Sequence, residues 1–130
     1  MGDAPTGAAR RRALGAYGED LACAYLTEHG YRILARNWRC RNGELDIVAL
    51  DGDCLVGCEV KTRSSQRFGA PEESVTPSNV ARLRGLVAQG LAQCAPTRLQ
   101  RRPSATRLDV VAVELQPRGA AILRHLIGVG

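Results

Sequence analysis

The chain has 130 residues, of which 45% are hydrophobic and 4% aromatic, so we expect one compact domain with an aliphatic core. Its net charge of +5 comes from seventeen Arg and one Lys against thirteen acids. This favours a polyanionic partner such as nucleic acid, although a general preference for Arg over Lys would also explain the Arg excess. No apolar run resembles a membrane span or a secretory signal. The odd number of cysteines, five, favours a reducing compartment. We therefore expect a cytoplasmic protein with no membrane partner.

The first predicted element is a helix. Residues 1–9 are small and polar and predict a flexible leader, followed by a single domain over 10–127. From about 10 to 29, one apolar stripe recurs at helical spacing, formed by Leu14, Tyr17, Leu21 and Tyr25. A second row lies beside it, formed by Gly15, Glu19, Ala22 and Leu26. Glu19 is thereby predicted at the border of the buried face.

Three strands are predicted next, over residues 31–40, 44–51 and 54–63, with turns at Arg41-Asn42-Gly43 and Gly52-Asp53. After a polar loop over 64–75, Thr76-Pro77 is typical of a helix start, and that helix should run to about 93. A basic connector leads to a covered strand over 108–115 and an edge strand over 120–127. The order α-β-β-β-α-β-β predicts an α/β or α+β domain.

Charged residues occur in the otherwise apolar second and third strands. Residues two apart in a strand share a face, so Glu44 and Asp46 lie on one face of the second strand, and Glu59 and Lys61 lie on one face of the third. If Gly52-Asp53 is a two-residue turn, Asp51 faces Cys54 and Asp46 then faces Glu59, with Cβ atoms about 5 Å apart. A longer turn would disturb this pairing.

Two carboxylates at that distance repel each other, and a hard divalent cation such as Mg²⁺ relieves the repulsion. Lys61, the only lysine, would add a positive charge suited to orienting water or to stabilising a phosphate in transfer. The structural alternative is a surface salt bridge among Glu59, Lys61 and Asp46. For Glu19 the alternative is an ordinary solvated helix acid.

The residues resemble a known family at this point. Asp46, Glu59 and Lys61 are similar to the signature of the PD-(D/E)xK nucleases, and Glu19 resembles the additional acid of archaeal Holliday-junction resolvases. More closely, six blocks in order resemble the YraN-like family of small bacterial proteins: YGEDLACAYL, GYRIL with ARNWR, GELDIVALDGD, VGCEVKTR, FGAPEESVTP and RLDVVAV. The similarity runs from about Tyr17 to Val113.

The resemblance implies a restriction-endonuclease-like αβββαβ core, a mixed central sheet flanked by helices. It implies that Asp46, Glu59 and Glu19 hold Mg²⁺ or Mn²⁺, that Lys61 acts on the attacking water, and that Glu44 supports the site. Ser78-Asn79 stands where the family usually has a Lys, which would remove one DNA contact. Related resolvases are dimers, so the resemblance is compatible with a homodimer.

We expect a metal-dependent endonuclease acting on DNA, including branched or flapped DNA. Candidate phosphate contacts are Arg63, Arg67, Arg41, Arg39 and Arg36. Two alternatives stay open: a nucleic-acid-binding module with little or no turnover, and a protein-interaction subunit of a DNA-processing complex that uses the sheet edge. Metal-dependent cleavage separates the first reading from the second, and salt-sensitive DNA binding separates both from the third.

Overall fold

A computed structural model describes residues 6–64, 76–91, 99 and 102–130. The helices are α1 (Gly7–Glu28) and α2 (Pro77–Gly85), and α2 continues as a π-helical turn over Leu86–Gly90. The strands are β1 (Arg32–Cys40), β2 (Gly43–Asp51), β3 (Cys54–Ser64), β4 (Ala105–Leu115) and β5 (Ile122–Leu126). This element order confirms the predicted α+β domain.

The five strands form one mixed sheet in the order β1-β2-β3-β4-β5. All neighbours are antiparallel except β3 and β4, which run parallel. In the chain α2 lies between these two strands, as a parallel pair requires a crossover connection. The mixed central sheet predicted from the sequence is thereby confirmed.

Each face of the sheet carries one helix. Neighbouring residues of β3 point to opposite faces, so they pack against different helices. Leu55 packs with Val80, Leu83 and Val87 on the α2 side. Val56 instead packs with residues of α1 on the other side, in a cluster that includes Ala22, Leu26, Val111 and Val113. The sheet is therefore covered on both sides, and its central strands each contain a continuous buried run, four residues long in β3 and six in β4.

Helix α1 corrects two predictions. It begins at Gly7 rather than near residue 10, because the Thr6 hydroxyl accepts a hydrogen bond from the Ala9 N–H at 3.1 Å and caps the helix. The predicted stripe is also wrong at Tyr17, which is 53% exposed, whereas Leu21 and Tyr25 are partly buried and pack against the core. The buried residues of α1 are Gly18, Ala22 and Leu26, so Ala22 and Leu26 of the second row face the sheet together with Gly18.

The predicted turn at Gly52-Asp53 and the second helix start are confirmed, whereas the first turn is Arg41-Asn42 alone, because Gly43 already pairs with Cys40 as the first residue of β2. Asp51 pairs with Cys54 across Gly52-Asp53, which makes this a two-residue turn. The Thr76 hydroxyl accepts from the Asn79 N–H at 3.2 Å and caps α2, with Pro77 in its first turn. Most of the predicted polar loop and basic connector lies outside the described residues. No described helix has the length and apolarity needed to cross a membrane.

Candidate active site

The predicted meeting of Asp46 and Glu59 follows from the confirmed turn. The backbone pairing of β2 with β3 runs from Asp51–Cys54 to Ile47–Cys58, one step short of the two acids. Beyond Ile47–Cys58, side-chain carboxylates take the place of backbone carbonyls as hydrogen-bond acceptors between the two strands. The Val60 N–H donates to Asp46 Oδ2 at 2.8 Å, and the Asp46 N–H donates to Glu59 Oε1 at 3.4 Å. Each carboxylate thus accepts a hydrogen bond from the backbone of the opposite strand.

At Asp46, strand β2 departs from the regular alternation of side chains between the two faces of the sheet. Leu45 packs in the α2-side cluster, whereas Ile47 packs in the α1-side cluster. In a regular strand these two residues would share a face. The pairing of β2 with β1 also omits Asp46 and its neighbour Asn37, whose φ of 52° lies in the left-handed region. The irregularity leaves the Asp46 backbone and side chain at a gap between strands.

Burial raises the pKa of both acids, which makes them hard to ionise. Burial raises the pKa of Glu59 to about 7, and the neighbouring charge of Asp46 acts in the same direction. Burial likewise raises the pKa of Asp46, against the Val60 hydrogen bond and the charge of Lys61, which lower it. Paired acids with raised pKa values are typical of sites that bind a cation or transfer a proton.

Glu19 joins this pair from α1. Its pKa is raised first by burial and then by the charge of Asp46, while Arg36 partly offsets both. Arg36 Nη2 lies 3.9 Å from Glu19 Oε1 and Arg36 Nη1 lies 2.8 Å from Asp20. Glu19 is therefore not an ordinary solvated helix acid, because it shares the electrostatic field of the strand acids.

A close approach of α1 to β3 sets the position of Glu19. A Cβ added to Gly18 would lie 2.8 Å from Thr62 Cβ and 2.9 Å from Thr62 Cγ2. Only glycine fits there without movement. The Thr62 hydroxyl is buried and makes no hydrogen bond with any described residue. The contact brings the helix turn that carries Glu19 directly onto the strand that carries Glu59 and Lys61.

An open cleft of about 370 Å³ lies between α1 and β3. Its lining includes three cationic side chains, Arg11, Lys61 and Arg63, and two acids, Glu19 and Asp46. No acid within the described ranges forms an ion pair with Lys61. The salt-bridge alternative therefore lacks its central contact, and Lys61 faces the cleft beside the carboxylates.

The acids suit a hard divalent cation in chemistry. Mg²⁺ prefers carboxylate oxygens and is commonly held by one or two carboxylates plus water, and Asp46 and Glu59 supply such a pair. In the part of the chain that the structure describes, no three acids, histidines or cysteines are already gathered as a metal site. The arrangement therefore fits a two-carboxylate site to which Glu19 would come from α1.

The predicted phosphate contacts separate into groups. Arg63 lines the cleft, and Arg36 is paired with Asp20 near Glu19. Arg39 pairs with Glu44 at 3.0 Å, both largely exposed, so the Glu44 carboxylate is engaged outside the cleft, although its charge helps raise the pKa of Asp46. Arg41 is exposed on the β1–β2 turn. Arg67 lies outside the described residues.

Two features were missed by the sequence reasoning. One is Arg11 in the cleft, which the second row of α1 would have indicated if the helix had been extended one turn, since Arg11, Gly15 and Glu19 are four apart. The other is a buried network around Asp109, which accepts hydrogen bonds from Arg107 at 2.8 Å, Tyr31 at 3.1 Å and the Gly128 N–H at 3.1 Å.

The Asp109 network lies on the α1 side of β4 and is closed by His125 Nε2, 2.7 Å from Asp109 Oδ2. Burial would raise the pKa of Asp109, but the hydrogen bonds from Arg107, Gly128 and His125 together lower it. Asp109 is fully buried. The network joins β1, β4 and β5, so we assign it to the architecture of the sheet.

Comparison with known proteins gives a consistent result. The profile of the Uncharacterised protein family UPF0102 matches residues 18–113. A UPF0102 protein of Kineococcus radiotolerans is 52% identical over 117 residues, covering 90% of this chain and 93% of that protein. One of Acidothermus cellulolyticus is 54% identical over 111 residues, covering 82% and 84%. One of Streptomyces griseus is 48% identical over 119 residues, covering 92% and 97%. On the extent of these matches, the chain belongs to the UPF0102 family.

Proposed function

We propose that this protein is a metal-dependent nuclease with an endonuclease-like fold that hydrolyses phosphodiester bonds in DNA. One observation carries the proposal. Asp46 and Glu59 meet where the β2–β3 ladder ends, beside Lys61. The two acids accept hydrogen bonds from each other's strand. This gap in the sheet places the Asp46 carboxylate and the Lys61 amine in the lining of an open cleft, while the Glu59 carboxylate accepts a hydrogen bond from the Asp46 backbone.

Asp46 and Glu59 would hold Mg²⁺ or Mn²⁺, with Glu19 joining from α1. When bound, such a cation supplies Lewis-acid stabilisation of the developing charge on phosphorus oxygens and lowers the pKa of water. The backbone N–H groups of Val60 and Asp46 fix the two carboxylates in place. Gly18 holds α1 close to Thr62, and thereby holds Glu19 near the acid pair.

Lys61 would act at the cleft on the water and the phosphate. Its ammonium is a compact point charge with three donors, and it makes no ion pair with the described acids. It can therefore donate hydrogen bonds to a phosphate oxygen or orient a water molecule for in-line attack. Arg63, two residues further along β3, lies in the same cleft and would bind an adjoining phosphate.

A second candidate function is nucleic-acid binding with little or no turnover. It is favoured by the lack of three pre-assembled ligands among the described residues and by the raised pKa of both strand acids. Acids whose pKa values are raised bind metal less tightly than fully ionised ones. This module would retain salt-dependent DNA binding and lack cleavage.

The deciding experiment is a cleavage panel of linear, flapped and four-way DNA in Mg²⁺, Mn²⁺ and EDTA. We expect cleavage with metal and none with EDTA. Lys61→Arg should abolish cleavage while leaving DNA binding nearly intact, because guanidinium is larger, planar and effectively never deprotonated.

Arg32→Lys provides the matched control, since Arg32 also carries one positive charge, is exposed on β1 and does not line the cleft. It should cleave like the wild type. Full activity in Lys61→Arg would remove the role assigned to Lys61. Absence of cleavage by the wild type on every substrate, with DNA binding retained, would favour the binding module.

A further inference from the structure

The first turns of α1 carry a row of residues that reaches the acid site. Arg11, Gly15 and Glu19 are spaced four apart and all line the cleft, as residues on one helix face should. Eight residues of α-helix span about 12 Å. Arg11 thus lies about 12 Å along the helix from Glu19. Arg11 precedes the part of the chain that matches the family profile, which begins at residue 18.

The charge in the cleft changes from acidic to basic along this row. Glu19 and Asp46 lie at the inner end, where burial raises the pKa of each. Arg11 is exposed and lines the same cleft together with Lys61 and Arg63. An added Cβ on Gly15, between Arg11 and Glu19, would meet no atom within 4 Å. Open space therefore separates the guanidinium end from the acid end.

We propose that Arg11 binds a backbone phosphate of the nucleic-acid strand whose scissile phosphate lies over Asp46 and Lys61. The proposal rests on the proposed function for the position of the scissile group, but not for the binding. In a duplex the charges of one strand follow each other at about 3.4 Å of axial rise. The 12 Å row therefore corresponds to about three nucleotide steps. Arg11 reads no sequence, because it meets the backbone only.

Leu14 and Gly15 provide the surface between the two ends. Leu14 lines the cleft as an apolar side chain, and Gly15 adds no side chain to it. A sugar could pass over them while its flanking phosphates meet Arg11 and Arg63.

The test uses Arg11→Ala against Arg12→Ala in the full-length protein. Arg12 is the next residue of the same helix, is exposed, and does not line the cleft, so both variants lose one charge. Binding of a fluorescent oligonucleotide, single-stranded and as a duplex, is measured in EDTA by anisotropy over a range of salt concentrations. EDTA removes any dependence on metal or turnover. Melting curves of both variants check that they fold.

We expect Arg11→Ala to weaken binding about five- to tenfold and to reduce the log–log salt slope by about 0.9 on duplex and 0.7 on the single strand. Arg12→Ala should change affinity less than twofold, and Arg11→Lys should recover most of the loss. Equal effects of Arg11→Ala and Arg12→Ala would overturn the proposal, as would absence of binding to both probes.

The outcome is separable from that of the nuclease proposal. If the wild type cleaves but Arg11→Ala binds like Arg12→Ala, the phosphate contact is refuted and the nuclease stands. If the wild type does not cleave but Arg11→Ala alone weakens binding, the contact stands and the nuclease is refuted.

Discussion

Two alanine substitutions in α1 should change stability in opposite directions, although both replace glycine in the same helix. Gly18→Ala places a Cβ within 3.0 Å of Thr62 Cβ and Cγ2, as well as against its hydroxyl. Gly15→Ala places a Cβ where nothing lies within 4 Å. Helix propensity favours alanine over glycine by about 1 kcal/mol at either position. The difference between the two variants therefore isolates the contact with Thr62.

The magnitude follows from these two contributions. Overpacking in a tight core costs about 1–3 kcal/mol. Gly15→Ala should raise the free energy of unfolding by about 0.5–1 kcal/mol. Gly18→Ala should lower it by about 0–2 kcal/mol after the propensity gain is subtracted. At about 4 °C per kcal/mol for a domain of this size, the melting temperatures of the two variants should differ by about 2–12 °C.

The assay is thermal and urea unfolding of wild type, Gly15→Ala, Gly18→Ala, Thr62→Ala and the double variant Gly18→Ala/Thr62→Ala. Thr62→Ala removes the hydroxyl and the methyl group that Gly18→Ala would strike, so the double variant should be more stable than the sum of the single effects. If Gly18→Ala is as stable as Gly15→Ala, α1 does not lie against Thr62, and the assigned position of Glu19 loses its support.

Three further predictions address the charged groups. Glu59→Gln should stabilise the metal-free protein at pH 8 by about 2–3 kcal/mol. The reason is that a carboxyl whose pKa is raised to about 7, beside Asp46, Lys61 and Arg82, destabilises the fold as the pH rises from about 4.5 to 7. Unfolding curves that shift equally at pH 5 and pH 8 would contradict this. Asp46→Asn should stabilise the metal-free protein by about 1 kcal/mol and lose most of the melting-temperature gain that Mg²⁺ or Mn²⁺ gives the wild type; a variant that melts lower and a wild type indifferent to metal would instead indicate a structural role. Asp109→Asn should lower the free energy of unfolding by about 3 kcal/mol at pH 7. The ionised Asp109, whose pKa is lowered, stabilises the fold above about pH 4, and this stabilisation is lost as the pH falls through the lowered pKa, so the variant should approach the wild type in acid. A difference in unfolding free energy that stays constant down to pH 2 would refute the charge-based account.

The sequence predicts the parts of this site that depend on local rules. A two-residue turn at Gly52-Asp53 sets the register of β2 and β3, and that register alone brings Asp46 to Glu59. The Thr76 cap of α2 is equally local. These features need only strand alternation, turn length and helical spacing, which are legible without knowledge of the partner element.

The remaining features depend on contacts between elements. Tyr17 is apolar enough to be predicted as buried, but the close approach of Gly18 to Thr62 turns the small-residue row toward the sheet and leaves Tyr17 at the surface. The reversal of β2 between Leu45 and Ile47 likewise breaks the alternation on which strand prediction rests. Neither can be read from periodicity, since both arise where one element meets another.

The reversal at Asp46 explains why acids occupy a sheet that is otherwise apolar. A regular ladder at this point would pair the Asp46 and Val60 N–H groups with backbone carbonyls and leave both carboxylates without partners. A break in the ladder would in turn leave those N–H groups unsatisfied, at about 1–3 kcal/mol each. Here the N–H groups and the carboxylates satisfy each other, because the Asp46 carboxylate accepts from the Val60 N–H and the Glu59 carboxylate accepts from the Asp46 N–H. The same two acids that interrupt the sheet therefore close the interruption with their own oxygens, and Asp46 lines the cleft together with Lys61, where a cation and a phosphate would bind.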